Sequence, residues 1–359
     1  MKGFLIFIVI FTQTTFIANA QTDSSRKVAL SAYLETFYGY DFANPANHLR
    51  PAFTYSHNRH NEVNLNLGFV KVAYQHSKSR ANLALMAGTY ANANLAAETG
   101  VLKNILEANV GFKVSRTKNL WLDAGVFSSH IGFESAISKD CWTLTRSILA
   151  ENSPYYESGV KLSYNSDNEK WFLGALVLNG WQRIQRLEGN NTPAFGHQIT
   201  YKANAKITLN SSSFIGSDTP DSVKLMRYFH NFYGIFQVSN TFGLTLGFDV
   251  GFQQKTPKSK SYNMWYSPVL IARYSPTKKL NFAARSEFYS DKNQVIISTN
   301  SKNGFQTIGH SLNVDYLITD NLLWRIEYRN LRSKDPIFQK NETFIHQNNL
   351  IISSLAITF

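Results

Sequence analysis

The stretch LLWRIEYRN, residues 322–330, decides how the chain is read. Taken alternately, it sets Leu322, Trp324, Ile326 and Tyr328 on one face and Leu323, Arg325, Glu327 and Arg329 on the other. Successive side chains of a β-strand point to opposite faces, so this is an amphipathic strand with one apolar and one charged wall. In a soluble sandwich the apolar wall packs into a core. In a membrane barrel it meets lipid, and the charges line a wet lumen.

The same period recurs along the chain. Leu106, Ala108, Val110, Phe112 and Val114 alternate with polar or small residues, as do Leu244, Leu246, Phe248, Val250 and Phe252. Short polar turns at 76–80, 115–119, 165–169, 203–206, 239–241, 275–279 and 319–321 alternate strictly with long connections near 42–60, 92–104, 128–154, 181–195, 217–226, 254–261, 292–305 and 333–346. This predicts an all-β fold: a transmembrane antiparallel β-barrel of about sixteen strands with short periplasmic turns and long external loops. A sandwich would show shorter strands without the long–short asymmetry. In the barrel Trp324, Ile326 and Tyr328 face lipid; the opposite register would place arginines in the bilayer at about 2–4 kcal/mol each near the midplane.

The ends agree. Residues 1–20, MKGFLIFIVIFTQTTFIANA, read as a signal peptide: Lys2, an apolar run and a small-residue Ala18-Asn19-Ala20 site. The barrel is then expected over 21–359, in the outer membrane of the cell. No apolar run approaches the roughly 20 residues of a membrane helix. The single cysteine, Cys141, excludes an intramolecular disulfide. The last strand, NLIISSLAITF, ends on Phe359, a candidate assembly signal for the barrel-insertion machinery.

Residues 128–154, SSHIGFESAISKDCWTLTRSILAENSP, break the alternation. Structureless connections of this length are uncommon unless functional. Ile137, Cys141, Leu144 and Ile148 fall at helical spacing, with Ser138 or Asp140 as a cap and Pro154 as a stop. As the third long loop, this segment is expected to fold into the barrel and constrict it. The run LWLDAGVFSSHIGFESAISKDCWTLTRSILAENSPYYE, 120–157, also resembles the OmpL-like putative β-barrel porin-2 family of Bacteroidota-type bacteria. HNEVNLNL (60–67), LALMAGTYANANLAAE (83–98), FIGSDTPDS (214–222) and RYFHNFYGIFQ (227–237) carry the same resemblance. It implies an outer-membrane porin, and no particular solute.

His130, Glu134, Lys139, Asp140, Arg146 and Glu151 are the charged candidates on the constriction loop. They either set a transverse field and a size limit or pin the loop to the wall, with Phe133 and Trp142 as anchors. Alternation places Glu35, Glu107, Lys113, Asp123, Glu157, Lys161, Asp249, Arg285, Glu287, Asp315, Arg325, Glu327 and Arg329 on the lumen wall. Acids there match or outnumber bases, and the formal charge of +12 comes instead from turns (Lys78, Arg80, Arg116, Lys118) and external loops (Lys255, Lys258, Lys260, Lys334). The basic balance therefore does not predict an anion-selective pore.

No G-x-S-x-G, H-E-x-x-H or C-x-x-C occurs, and Ser129 beside His130 is not a triad, so no catalytic residue or cofactor is expected. His57 and His60 are the one close histidine pair, too little for a metal site. Nucleic acid is not an expected partner. The partners implied are outer-membrane lipids, the assembly machinery and small hydrophilic solutes, for a monomer or a homo-oligomer such as a trimer. Asp221-Ser222-Val223 resembles a short O-glycosylation sequence, or is an ordinary polar loop. The reading is a porin for passive diffusion of small hydrophilic solutes; the alternative is a barrel plugged by its third loop and serving structure or adhesion.

Overall fold

The computed structural model describes residues 26–359; the expected signal peptide lies outside the described residues. Sixteen strands close into one antiparallel barrel. They are β1 (Lys27–Asp41), β2 (Val63–Gln75), β3 (Ser79–Ala87), β4 (Ile105–Lys113), β5 (Asn119–Ser128), β6 (Tyr156–Asn165), β7 (Trp171–Leu178), β8 (Ala194–Asn204), β9 (Ile207–Ser217), β10 (Met226–Gln237), β11 (Phe242–Gln254), β12 (Tyr262–Tyr274), β13 (Leu280–Asp291), β14 (Phe305–Thr319), β15 (Leu322–Ser333) and β18 (Gln347–Thr358). Two three-residue strands, β16 (Phe338–Lys340) and β17 (Thr343–Ile345), form a separate hairpin in the last long loop, a feature not foreseen from the sequence. Seven short turns and eight long loops alternate around the wall as expected.

Closure comes from β1 pairing with β18 from Tyr33↔Thr358 to Asp41↔Leu350. Phe359 extends the seam: its amide donates to the Ala32 carbonyl at 3.0 Å. No edge is left to meet lipid, where an unpaired backbone group costs several kcal/mol. The faces sort as the opening stretch requires. On neighbouring strands Leu312 is 66% exposed, whereas Arg325 and Glu327 are wholly buried. Exposed aromatics cluster at both rims, Tyr40, Tyr228 and Tyr262 toward the long loops and Trp171, Tyr274 and Tyr316 toward the short turns, the girdles of a barrel sitting in a bilayer.

Inside, the long-loop half carries an apolar cluster alongside buried charges such as Arg227 and Asp291. Phe214, Phe229, Trp265, Tyr289, Phe305 and Leu331 face inward and pack against Phe53, Ile131, Ile148, Ile297 and Phe338 from the loops. A second cluster joins Tyr33, Leu67 and Met86 to Leu149 and Tyr155. The third long loop, residues 129–155, is the element common to both.

Because Ile326 faces outward in mid-strand, Ile326→Arg should destabilise the barrel by about 2–4 kcal/mol in urea unfolding from liposomes. An unchanged midpoint would mean that this face is not in lipid.

Candidate functional site

The third loop crosses the lumen and is fastened to opposite walls. Near its start His130 Nε2 lies 2.8 Å from the Ser213 carbonyl, and Ser212 Oγ donates to the His130 carbonyl at 2.7 Å. The Gly132 amide donates to Asn231 Oδ1 at 3.2 Å, and Asn231 holds Asp249. Three inward glycines make room for the loop on this wall. A Cβ at Gly196 would stand 2.6 Å from His130 Nε2, one at Gly243 2.8 Å from the Trp142 ring, and one at Gly247 would overlap the Phe133 ring. Phe133 also packs edge-on against Tyr233, and the Arg273 guanidinium sits 4.5 Å from the Trp142 ring centroid.

Toward its far end the loop meets the charged face of β13–β15. Arg285 pairs with Glu327 at 3.0 Å and Glu287 at 3.3 Å, Arg329 pairs with Glu287 at 2.7 Å, and Arg325 with Asp315 at 2.7 Å. These side chains are also the loop's ligands. Glu327 accepts from the Thr145 amide and hydroxyl, both at 2.7 Å. Glu287 accepts from the Ile148 amide at 2.6 Å, and Asn313 from the Leu144 amide at 3.0 Å. Arg285 donates to the Thr143 hydroxyl, and Arg325 to the Ser138 and Cys141 carbonyls. Leu144 is seated among Phe37, Leu350 and Ile352. Lys139 reaches Thr358 at 2.8 Å. Charged hydrogen bonds of this kind contribute about 1.5–3 kcal/mol each.

Within the loop, Arg146 is fully buried and donates to three carbonyls, Ser135, Leu144 and Ala136, at 2.6–2.8 Å. Glu134 accepts from the Ser147 amide and hydroxyl and lies 3.9 Å from Arg285. Helix is confined to one 3₁₀ turn, Ser138–Asp140, and one α-turn, Ile148–Glu151, capped by Ser147. The helical spacing from Ile137 to Ile148 does not yield one helix, because carbonyls 135, 136 and 144 bond Arg146. Cys141 is buried beneath the loop. Asp140 is exposed, whereas Glu151 accepts the amides of Tyr55 (2.8 Å) and Ser56 (3.1 Å), tying the third loop to the first.

The β2–β6 wall is wetter. Lys71 pairs with Glu107 at 2.6 Å, and Arg80 pairs with Asp123. Arg80, expected in a turn, is the second residue of β3 and reaches into the lumen. Lys113 and Lys161 are half-buried; neither is in an ion pair among the described residues, and Lys161 lies 4.5 Å from the Phe127 ring centroid. Glu157 is wholly buried with both carboxylate oxygens unpartnered among the described residues.

Asn66, which the sequence did not single out, completes the fastening. A bulge in the β1–β2 register after Glu35 turns Asn66 toward the Glu35 carboxylate at 2.8 Å, which also takes His57 Nε2 at 3.0 Å and the Ser138 hydroxyl. A strict period of two cannot announce a bulge. His60 is turned away from His57, to the Asp41 amide and Asn44. No metal-ligand cluster of three His, Cys, Asp or Glu occurs among the described residues. Ser222 lies in an exposed 3₁₀ turn.

A sixteen-strand closed barrel with a loop fastened inside it defines a porin-type outer-membrane barrel. The profile of the putative β-barrel porin-2, OmpL-like family matches residues 27–359, and the chain belongs to that family. It is an outer-membrane porin. The fold is similar to an anion-selective porin from Comamonas acidovorans (TM-score 0.62, 8% identity, 93% of this chain and 100% of that one). It is also similar to the outer-membrane protein OmpT of Vibrio cholerae in its trimer form (0.60, 9%, 93% and 100%) and to the outer-membrane channel DcaP of Acinetobacter baumannii (0.60, 12%, 94% and 99%). No curated protein sequence matches the chain.

Two substitutions test the fastening. Arg146→Ala leaves three carbonyls without their donor, at roughly 1–3 kcal/mol for each that stays buried, and should give larger or noisier single-channel steps. Gly247→Val should displace Phe133 and lower stability by about 1–3 kcal/mol. Steps and unfolding midpoints identical to wild type would show that the loop is held by other contacts.

Proposed function

We propose that the barrel conducts small hydrophilic solutes by passive diffusion, that the third loop sets the size limit, and that the channel favours anions. The observation that carries the anion preference is the sorting of charge. Glu134, Glu287, Glu327 and Asp315 are paired with arginines beneath the loop, and Glu107 and Asp123 are paired on the opposite wall. Lys113 and Lys161 have no such partner among the described residues and stand half-exposed in the lumen. Counting acids and bases along the strands misses this, because a paired, buried carboxylate repels a passing anion far less than a free one would. Lysines without partners raise the local anion concentration in a low-dielectric channel.

The loop's charges then divide. His130, Glu134, Arg146 and Glu151 hold it in place, Lys139 reaches the β1–β18 seam, and Asp140 is exposed. The anion selectivity stated for the Comamonas porin is in line with this reading. Cleavage of residues 1–20 on export, recognition of the terminal Phe359 strand by the assembly machinery, contact with outer-membrane lipids, and self-association like the trimer form of the Vibrio protein complete the proposal.

In a planar bilayer under a potassium chloride gradient, wild type should open in discrete steps with a reversal potential of anion-selective sign. Lys113→Glu with Lys161→Glu should move it toward the cation side. A cation-selective wild type, or a double variant indistinguishable from it, would remove the lysines from that role.

A further inference from the structure

The mouth of the barrel holds a cleft of about 440 Å³ between the first long loop and the β16–β17 hairpin, lined by Arg50, Asn47, Tyr55, Asn58, Gln339 and Phe344 among others. We propose that it is an entry site for the anionic oxo group of a solute, a carboxylate or a phosphate, bound by Arg50.

Arg50 is 4% exposed, yet only one of its guanidinium nitrogens is used: Nη1 donates to the His57 carbonyl at 3.1 Å. Nε and Nη2 have no hydrogen-bond partner, and Arg50 forms no ion pair among the described residues. Nearly all buried polar groups are satisfied, and a buried cation is normally paired. Here two donors of the planar fork, the geometry that takes a carboxylate or phosphate in bidentate fashion, are buried without a partner on a residue that lines the cleft.

The neighbouring acid does not occupy them. Both oxygens of Asp41 accept from the Asn348 amide, at 2.7 and 2.9 Å, and one accepts from the Ala43 amide at 2.9 Å. The backbone holds the arginine in place: its amide donates to the Asn58 carbonyl at 3.0 Å, and Leu49 and Arg59 form a β-bridge across the loop. Burial, and next the charge of Arg329, push the guanidinium down to about 10, so it stays a cation at neutral pH.

The site also stands on the solute's path. The amides of Tyr55 and Ser56, on the same loop, bind Glu151 of the constriction loop, so the loop that carries Arg50 is tied to the constriction.

This assignment rests on the channel reading, and binding is therefore measured apart from conduction. Inorganic phosphate, and succinate in a second series, are titrated calorimetrically into the refolded full-length protein in detergent free of lipopolysaccharide. Wild type should bind both; Arg50→Gln should weaken binding at least about tenfold, and Arg50→Lys, which keeps the charge and loses the fork, should fall between. In the bilayer, phosphate added on the long-loop side should interrupt the current of wild type and spare Arg50→Gln. Equal phosphate affinity in wild type and Arg50→Gln, or no binding by wild type, would overturn the site. Arg50-dependent binding seen only with lipid A-containing vesicles would overturn the solute assignment in favour of a lipid phosphate. Open steps with Arg50-independent binding would refute the site and leave the channel; Arg50-dependent binding in a silent protein would do the reverse.

Discussion

The interior of this barrel depends on one buried network of opposite charges, on which the third loop is seated. Arg285, Arg325 and Arg329 face Glu287, Glu327 and Asp315 on β13–β15, and the third loop lies over them. The pairs leave acceptor and donor capacity, and the loop supplies Thr145, Ile148, Ser138 and Cys141 backbone groups to fill it. Neither layer is stable alone in a dry lumen. Removing one member of such a buried pair costs about 3–5 kcal/mol, mostly through the charge left behind. The loop's position is therefore coupled to the wall's charge pattern, which is in turn possible only because the apolar face of the same strands is in lipid.

This coupling changes how the chain's charge should be understood. A census of strand residues makes the lumen balanced or slightly acidic. Folding the third loop inward buries Glu287, Glu327 and Asp315 with their arginines and leaves Lys113 and Lys161 half-exposed. Arg50 at the mouth departs from that pairing: its buried guanidinium holds two donors without a partner beside a cleft.

Most of the architecture was legible in the sequence, because a period of two and the alternation of loop length are direct consequences of strand geometry and of the bilayer. LLWRIEYRN reported its inner and outer faces correctly, and the break at 128–154 marked the loop that enters the barrel. What could not be read is of another kind. The Asn66 bulge, the seating of His130 and Phe133 on Gly196 and Gly247, and the turn of Arg80 toward Asp123 are contacts between distant segments. Glycines on the lumen face of LTLGFDVGFQ were the available signal, since a lumen wall with no side chain invites something to lie against it. The short helical spacing of the third loop pointed to a longer helix than forms, because Arg146 claims its carbonyls.

The most direct test of the account replaces residues 138–147 with a short Gly-Ser linker and compares single-channel conductance with wild type in a planar bilayer. The uncovered charges of β13–β15 would then be hydrated rather than orphaned, so the barrel should still fold. Discrete steps several-fold larger than those of wild type are predicted. Steps of unchanged size from the folded variant would contradict it, and would place the constriction elsewhere than at the loop.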